Sequence, residues 1–365
     1  MLFSLEALRA KQGDSLLLHY GDPGDPRLIV IDGGPSGVYK DALKPRLEQL
    51  CEAAGGKLSI ELLMVSHIDS DHIKGVLEFS QKLLDEPQRQ GDYKVKTLWH
   101  NKFEDVVGGE GAVAEAEVIP PGARGAVASV PEGQRLRDNA RGLKWTENKG
   151  FKEFVMAPDD AGVPVDLGPL KLTVVGPRQA ELDELREKWE KEAKPSQRGA
   201  TPAAIEPDDS IPNLSSIVCV AELDGKRMLL TGDALGTKVI EGLETAGFLK
   251  SGNGKMKLDL LKVPHHGSCR NVTAEFFERL PARHLVISAD GKHGNPDIET
   301  LEMISEGRPD DAFTLHLTEA KFKDGVGPKI EDFFAKEKKA GRKYDVVFRP
   351  DDQLSLQVDL LDPQP

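Results

Sequence analysis

Three apolar segments of the chain each end in side chains that can bind a metal ion. Residues 60–65 (IELLMV) run directly into Ser66-His67-Ile68-Asp69-Ser70-Asp71-His72. Residues 227–231 lead to Gly232-Asp233, and residues 258–263 lead to Pro264-His265-His266. Short apolar runs are typical of buried strands, and a sheet that collects such residues at its strand ends presents a site there. We therefore expect a sheet-containing fold built around one polar site.

The rest of the chain alternates between strand and helix patterns. We predict further strands at residues 15–20, 28–31, 170–175, 216–221, 284–287, 313–318 and 344–348. Helical spacing occurs at residues 42–54, 75–85, 180–193 and 330–339. Asp224-Gly225 predicts a hairpin between two strands. For the two strands and the helix after Pro296, the sequence leaves open whether they complete the second sheet or cap the site.

Two segments have no firm periodicity. Residues 108–133 are rich in Gly, Ala, Pro and Val, and we interpret them as a loop or a loosely structured insertion. Residues 194–212 contain four prolines among polar residues, and we expect a mobile linker there.

Composition limits the class of protein. Hydrophobic residues make up 39% of the 365 and charged residues 30%, which fits a globular chain with a sizeable core. The net charge of -13 disfavours broad, non-specific nucleic-acid binding, although bound cations or a local basic cleft can reverse the sign. Three cysteines make a disulfide framework unexpected and favour a reducing compartment. Without a signal peptide or an apolar run of ~18 residues, we expect a cytoplasmic protein that has no membrane partner.

The first polar cluster contains four potential ligands: His67, Asp69, Asp71 and His72. Mixed imidazole and carboxylate ligands suit zinc, manganese or iron(II). Two cations about 3.5–4 Å apart can clamp a phosphoryl or carbonyl group. The alternative is a solvated loop followed by a helix with Asp71 as its N-cap.

The two later clusters are ambiguous when each is taken alone. Asp233 alone can be a turn residue, and His265 or His266 alone can be an ordinary core or surface histidine. Because all three clusters occur at strand ends, we favour a joint functional site.

The motifs resemble a known family. His67-x-Asp69-x-Asp71-His72 is similar to the signature of the metallo-β-lactamase-fold hydrolases, which usually carry His where Asp69 stands. The Asp version, with Thr231-Gly232-Asp233 and Val263-Pro264-His265-His266-Gly267-Ser268, resembles the ComEC-type branch, named for the hydrolase domain of a DNA-uptake competence protein. Supporting matches, within a resemblance that runs from about Leu5 to about Pro296, are Gly13-Asp14-Ser15, Ile31-Asp32-Gly33-Gly34, Val175-Gly176-Pro177 and Asn213-x-x-Ser216.

The resemblance implies an α/β fold, a four-layer αβ/βα sandwich of the metallo-β-lactamase type. Two mixed β-sheets would lie face to face with helices outside, and the metals would bind at one edge. Residues 1–365 would form a single hydrolase domain, with an insertion at about 103–212 and a C-terminal extension at about 297–365.

The resemblance also implies two divalent metal ions, Zn or Mn, and a ligand set. His67, Asp69 and Asp233 would hold one metal, and Asp71, His72, Asp233 and His265 the other, with Asp233 bridging. His266 would then face the substrate as a phosphate contact or proton donor, although the roles of His265 and His266 can be reversed. Asp69 or Asp71 would orient an attacking water, deprotonated near neutral pH by the two cations.

Two departures from the family pattern bear on the site. The family's Gly-His-Thr histidine is missing, and Asn213 and Ser216 stand near its place, which makes one site oxygen-richer and favours manganese. A Tyr-Gly-His-Pro stretch is replaced by His293-Gly294-Asn295-Pro296. His293 can therefore take over a leaving-group contact, or it can be a surface-loop histidine. The predicted substrate contacts are Asn213, Ser216, Ser268, His293 and Asn295.

The expected activity is metal-dependent hydrolysis of ester bonds by a phosphodiesterase or nuclease. DNA or RNA is the first substrate class. A small phosphodiester, such as a cyclic nucleotide or a phosphocholine ester, is the second and fits the negative net charge of the chain better. β-Lactam hydrolysis is not expected from this ligand set. A basic and aromatic wall for nucleic acid, or an ordinary solvated surface, would be formed by His100, Lys102, Arg137, Arg141, Lys144 and Trp145.

A different class of function is a metal-poor binding or regulatory module on the same fold. The near-complete ligand set argues against that reading. The insertion or the C-terminal extension is also a candidate docking site for a partner protein.

Overall fold

Sixteen strands are present in the part of the chain that the computed structural model describes, residues 1–106, 124–192 and 213–361. In chain order they are β1 (Leu2–Leu8), β2 (Leu16–Asp22), β3 (Asp25–Ile31), β4 (Leu58–Met64), β5 (Tyr93–Val95), β6 (Thr97–Trp99), β7 (Thr146–Glu147), β8 (Val165–Leu167), β9 (Leu170–Gly176), β10 (Val218–Leu223), β11 (Lys226–Leu230), β12 (Leu258–Lys262), β13 (Ala282–Ile287), β14 (Thr314–Leu317), β15 (Asp345–Phe348) and β16 (Ser355–Leu361).

Helices follow many of the strands. In the same ranges they are α1 (Lys44–Ala53), α2 (Ser70–Asp85), α3 (Phe103–Val106), α4 (Arg124–Gly142), α5 (Gln179–Glu192), α6 (Gly236–Thr245), α7 (Ala274–Arg279), α8 (Ile298–Gly307) and α9 (Val326–Lys339). No helix among these residues combines the length and the apolar character that crossing a bilayer requires.

The strands form two mixed sheets with the same plan. The first has the order β16-β1-β2-β3-β4-β6-β7, with β5 also paired to β4, and the second has the order β15-β14-β13-β12-β11-β10-β9-β8. Antiparallel neighbours give way to parallel ones at β3 and β4 in the first sheet and at β11 and β12 in the second. Because parallel strands end at the same edge, this plan gathers the loops after β4, β11 and β12.

Three buried apolar clusters define the layers. One lies between the sheets and joins residues of both, such as Leu62 and Leu230. A second packs the outer face of the first sheet against α1, α2, α4 and α5, and a third packs the outer face of the second sheet against α6 to α9. The layer order is helix, sheet, sheet, helix. The predicted αβ/βα sandwich with two mixed sheets is therefore confirmed.

The residues after Pro296 add strands to both sheets. Of the two alternatives left open by the sequence, β14 and β15 complete the second sheet as parallel strands. The last strand, β16, pairs antiparallel with β1 in the first sheet. Neither β1 nor β16 was predicted, although β16 alternates buried and exposed side chains as an edge strand does.

The interpretation of residues 108–133 as loop is wrong from Arg124 onward, where α4 begins. Val130, Leu136 and Ala140 of this helix are buried in the cluster that contains the α2 side chains. Packing against α2 supplies the stabilisation that a sequence with Pro131 and Gly133 lacks by propensity. Residues 107–123, and the linker predicted at 194–212 from residue 194 on, lie outside the described residues.

Candidate metal centre

The loops after β4, β11 and β12 bring five predicted residues to one point, with Asp233 at its centre. Four imidazole nitrogens surround the Oδ2 atom of Asp233, at 3.8 Å (His67 Nε2), 3.4 Å (His72 Nε2), 3.6 Å (His265 Nε2) and 3.4 Å (His266 Nε2). These distances exceed the roughly 2.7–3.2 Å of an ordinary N–H···O hydrogen bond. The nitrogens therefore surround the carboxylate at distances longer than hydrogen bonds.

Two further carboxylates border the same point. Asp69 Oδ2 lies 3.8 Å from His67 Nε2, and Asp71 Oδ2 lies 3.9 Å from His266 Nε2. Helix α2 begins at Ser70 with Asp69, not Asp71, as its N-cap, and the Asp69 side chain makes no capping hydrogen bond. The start of this helix thus leaves both carboxylates free to face the histidines.

Several buried polar atoms at this point have no hydrogen-bond partner within the described residues. They are Nε2 of His67, His72 and His266 and Oδ1 of Asp69 and Asp233. An unsatisfied buried polar group lowers the stability of the folded state by about 1–3 kcal/mol. Five such atoms at one point therefore indicate a ligand that they share. Groups whose ligand atoms all lie within 4.8 Å include His67-His72-Asp233 and Asp71-His72-His266. This nitrogen and oxygen donor set fits divalent ions such as zinc or manganese.

Hydrogen bonds behind the first two histidines fix their tautomers. His72 Nδ1 lies 2.8 Å from Asp32 Oδ2, an acceptor, so Nδ1 donates and Nε2 keeps its lone pair. Ser66 Oγ donates to the same Asp32 oxygen at 2.6 Å, so it accepts from His67 Nδ1 at 3.2 Å. Both Nε2 atoms therefore face the site, and in the neutral imidazole each offers the lone pair that a metal ligand needs.

The same logic holds for the histidine pair of the third loop. His266 Nδ1 lies 3.0 Å from the carbonyl oxygen of Ser288, which can only accept. Asn271 donates to the Asp233 carbonyl at 3.1 Å, so its Oδ1, 2.9 Å away, accepts from His265 Nδ1. All four imidazoles thus donate from Nδ1 and turn Nε2 towards Asp233.

A buried ion pair lies behind His266. Lys262 is fully buried on β12, and its Nζ is 2.7 Å from Asp14 Oδ2. The other oxygen of Asp14 is 3.6 Å from His266 Nδ1. The lysine compensates a carboxylate that would otherwise be an isolated charge in the interior.

The third loop has an unusual backbone. His265 (φ 46°), His266 (φ 54°) and Gly267 (φ 80°) are consecutive residues in the left-handed region. Non-glycine residues occupy this region at a cost, and such residues cluster at functional sites. Here the conformation lets adjacent histidines both reach Asp233, which alternation along a strand would not allow.

Burial and mutual charge shift the pKa values of the cluster. Burial raises the pKa of Asp69 to about 7, and repulsion from Asp71 adds to the rise. For His266, burial lowers the pKa, but Asp233 and Asp14 outweigh it and raise the pKa to about 10. Burial raises the pKa of Asp233, yet the nearby His266 and His72 hold it well below its ordinary value. A divalent cation favours the deprotonated forms of all these groups.

The predicted substrate contacts fall into two groups. Ser216 Oγ accepts from the Asp233 backbone N–H at 3.3 Å, so this buried residue supports a ligand. Asn213 is also buried and lies beside His265, with its Nδ2 3.4 Å from Nδ1 of the imidazole. Ser268 continues the histidine loop and is also buried. The loop that carries His293 and Asn295 lies beside it, because Asp297 N–H donates to Gly267 O at 3.0 Å.

The predicted basic wall is only partly assembled. His100 is buried, with Nε2 3.5 Å from a Glu147 oxygen, and is not available for stacking. Trp145 packs against Phe79 with ring centroids 6.2 Å apart. Trp145 is partly buried against the apolar cluster on the outer face of the first sheet, a contact that the sequence pattern does not reveal.

Sequence reasoning missed the residues that hold the ligands in place. Asp14 and Asp32 lie in motifs that were noted only as family matches, and Ser216 was predicted as a substrate contact rather than as a support of Asp233. Lys262 has a signal of its own, since a lysine inside an apolar strand needs a buried partner. Asn271 and Ser288 have none, because only the fold brings them beside histidines.

Neither a protein-family model nor a curated protein matches this chain. Solved structures with a similar course of the chain include the metallo-β-lactamase fold protein YhfI from Bacillus subtilis, at 13% identity over 98% of this chain and 99% of that one, with a TM-score of 0.41. A putative metal-dependent hydrolase from Parabacteroides distasonis has 11% identity over 94% and 92%, with a TM-score of 0.34. A protein of unknown function from Enterococcus faecalis has 10% identity over 97% and 78%, with a TM-score of 0.30.

Proposed function

We propose that this protein is a metal-dependent hydrolase that cleaves phosphodiesters with two divalent ions, Zn or Mn. The observation that carries the proposal is the convergence of four Nε2 atoms and three carboxylates on one point. Among the described residues, Nε2 of His67, His72 and His266 and Oδ1 of Asp69 and Asp233 have no hydrogen-bond partner there. A structural role alone gives no reason to leave so many buried acceptors without donors.

The geometry supports two adjacent metal positions that share Asp233. The first position would be held by His67, Asp69 and His265, and the second by Asp71, His72 and His266. This assignment uses both histidines of the third loop, because both Nε2 atoms approach the same Asp233 oxygen. It also supplies the first position with a second nitrogen in place of the missing Gly-His-Thr histidine.

When bound, such ions would polarise a phosphoryl oxygen and lower the pKa of a water molecule. The chain's own residues would orient the reactants. Asp69 and Asp71 are partly exposed, at 24% and 31%, so water and a substrate can reach them. We assign them to the attacking water and His293, on the adjacent loop, to the leaving group.

The substrate class follows from the motif resemblance and from the charge. The ComEC-type motifs favour nucleic acid, whereas the net charge of -13 and the burial of His100 favour a small phosphodiester. We place nucleic acid first and a small phosphodiester second.

The test is a hydrolysis panel on purified protein. Bis-(p-nitrophenyl) phosphate, single- and double-stranded DNA, and RNA are each incubated with Mn²⁺, with Zn²⁺ and with chelator. We expect cleavage that requires metal and that falls at least about 100-fold in Asp71→Ala, since loss of a metal ligand removes the Lewis acid. Asp85→Ala, at the far end of α2, is the matched control and should keep full activity.

Three outcomes would count against parts of this proposal. Wild-type activity in Asp71→Ala would overturn the site assignment. Cleavage of the small ester without cleavage of DNA or RNA would move the substrate to the second class. Purified protein that neither contains nor takes up metal would favour a binding or regulatory module.

A further inference from the structure

A short turn, residues 290–295, lies directly beside the histidine loop of the candidate metal centre. The chain contacts that loop on both sides of the turn. The Ser288 carbonyl oxygen accepts from His266 Nδ1 at 3.0 Å, and Asp297 N–H donates to Gly267 O at 3.0 Å. The turn follows β13, which is parallel to β12, so it lies at the same edge of the second sheet as the histidine loop. Its position beside the ligands is therefore fixed at both ends.

The backbone of this turn is strained. His293 (φ 62°) is left-handed between Gly291 (φ 90°) and Gly294 (φ 91°), and a non-glycine residue occupies this region at a cost. Such a conformation persists only where the surrounding structure imposes it. The His293 side chain is exposed, so its own packing does not supply that support. The support must come from residues that hold the ends of the turn.

Lys323, in the loop after β14, holds the first residue of the turn. Its backbone N–H donates to Asp290 O at 2.7 Å, and its Nζ lies 2.5 Å from Asp290 Oδ2. Asp290 Oδ1 accepts from Lys292 N–H at 3.0 Å, inside the turn. The approach is close, because a Cβ on Gly291 would lie 2.5 Å from both N and O of Lys323. Asp290 is 2% exposed, so its carboxylate joins the loop to the turn in a place that water hardly reaches.

The loop that carries Lys323 is itself anchored from the end of β15. Arg349 is 2% exposed, and its Nε donates to Thr318 O at 2.8 Å. Thr318 Oγ1 in turn accepts from Ala289 N–H at 3.1 Å, directly before the turn. All three supporting residues follow Pro296, so the C-terminal part of the chain holds the turn beside the metal centre.

We propose that Lys323 and Asp290 are positioning residues, which hold the turn so that His293 meets the leaving group of the substrate. As the P–O bond breaks, a proton passes from the imidazolium to the leaving oxygen, and water then restores it. Such a step is sensitive to placement, because a shift of about 1 Å can lower the rate about 100-fold. The inference rests on the leaving-group role that the proposed function gives to His293.

The test compares two lysines of the same loop. Lys323→Ala removes the ammonium that contacts Asp290, whereas Lys321→Ala removes one that contacts Asp351, also at 2.5 Å but outside the turn. The two lysine side chains are 58% and 82% exposed, so both variants should fold. Hydrogen–deuterium exchange of residues 291–295 should be faster than in wild type in Lys323→Ala and unchanged in Lys321→Ala.

Two leaving groups separate a positioning role from a merely structural one. A dinucleotide releases an alkoxide, which needs a proton, whereas bis-(p-nitrophenyl) phosphate releases p-nitrophenolate, which leaves readily without one. In Mn²⁺-loaded Lys323→Ala, kcat on the dinucleotide should fall at least about 10-fold, and kcat on the aryl ester should change little. Asp290→Asn should show the same pattern, and Lys321→Ala should match wild type on both substrates.

The outcomes distinguish this inference from the proposed function. Equal losses on the two substrates would show that Lys323 acts through stability, and would overturn the inference. Unchanged exchange of residues 291–295 in Lys323→Ala, or a wild type that cleaves only the aryl ester, would overturn it as well. If Lys323→Ala does not fold, Lys323→Met keeps the aliphatic stem and takes its place. A wild type without any metal-dependent hydrolysis would instead overturn the proposed function.

Discussion

At the scale of single residues, close backbone approaches decide whether the ligands meet. A Cβ on Gly75 would lie 1.9 Å from Gly33 O, and a Cβ on Gly33 would lie 2.3 Å from Val76 N. This contact presses the first turns of α2 onto the loop after β3, where Gly33 N–H donates to His72 O at 2.8 Å. Asp32 and His72 are hydrogen-bonded because two glycines allow their backbones to touch.

The variant Gly75→Ala tests this approach. The new methyl must push α2 away from Gly33, and such overpacking costs about 1–3 kcal/mol of unfolding free energy. Metal affinity should fall as well, since His72 moves with the helix. Urea denaturation measures the first effect and metal titration the second.

The matched control is Gly133→Ala in α4, another helical glycine. Its Cβ would meet only Ile68, at 3.8 Å. This variant should be neutral or stabilising by up to about 1 kcal/mol. Equal stability of the two variants would contradict the close-approach argument.

At the scale of elements, a buried carboxylate ties four segments of the first layer pair together. Glu6 of β1 is 1% exposed and contacts His19 of β2 at 2.8 Å, Arg46 of α1 at 2.7 Å and Ser355 of β16 at 2.5 Å. Burial raises the pKa of Glu6, but these hydrogen bonds outweigh it and lower the pKa to about 2. The anionic form is thus strongly favoured in the folded protein.

The pH dependence of stability follows from this pKa. Because the folded pKa lies below the unfolded one, the stabilisation is complete above about pH 4.5 and is lost as the pH falls towards 2. Glu6→Gln should reduce the unfolding free energy by about 3 kcal/mol at pH 7, and the deficit should shrink between pH 4.5 and pH 2. Urea denaturation across that range measures it. A deficit that does not change with pH would show that Glu6 acts through packing rather than charge.

At the scale of the whole molecule, the candidate centre joins the two sheets. His67 and His72 follow β4 of the first sheet, and Asp233 and the His265-His266 pair follow strands of the second. Direct contacts also cross here, since Ser66 O accepts from Ile217 N–H at 2.9 Å and Gly13 O accepts from Ser288 Oγ at 2.7 Å. A cation held by both halves would therefore stabilise the sandwich as a unit.

Metal removal should lower the stability of the whole chain. A ligand present at 100 times its dissociation constant adds about 2.7 kcal/mol per site to a folded state that alone binds it. Thermal unfolding with Mn²⁺ should occur at higher temperature than with chelator, and Asp71→Ala should show a smaller difference. Identical melting curves for wild type in Mn²⁺ and in chelator would be incompatible with this role.

The sequence by itself determined the elements and the polar clusters. Local hydrophobic periodicity predicted β4, β11 and β12 and the four helices α1, α2, α5 and α9, because the spacing of apolar residues shows which face of an element is buried. The cluster from His67 to His72, with Asp233 and the His265-His266 pair, marked the place of the candidate site. The sequence did not predict α4 and β16, because their local propensity is weak and packing against distant elements stabilises them.

Only the tertiary structure decided how those residues meet. Sequence spacing does not tell which of His265 and His266 turns inward, and three consecutive left-handed residues let both reach Asp233. Nor does it reveal that Asp14, Asp32 and Asn271 stand behind the ligands, because these partners are up to 252 positions away from the histidines they support (His266 and Asp14: 266 − 14). The kinds of side chain available to bind a metal are read directly from the sequence. The distances between them and the tautomers of the histidines depend on contacts between residues that are remote in sequence.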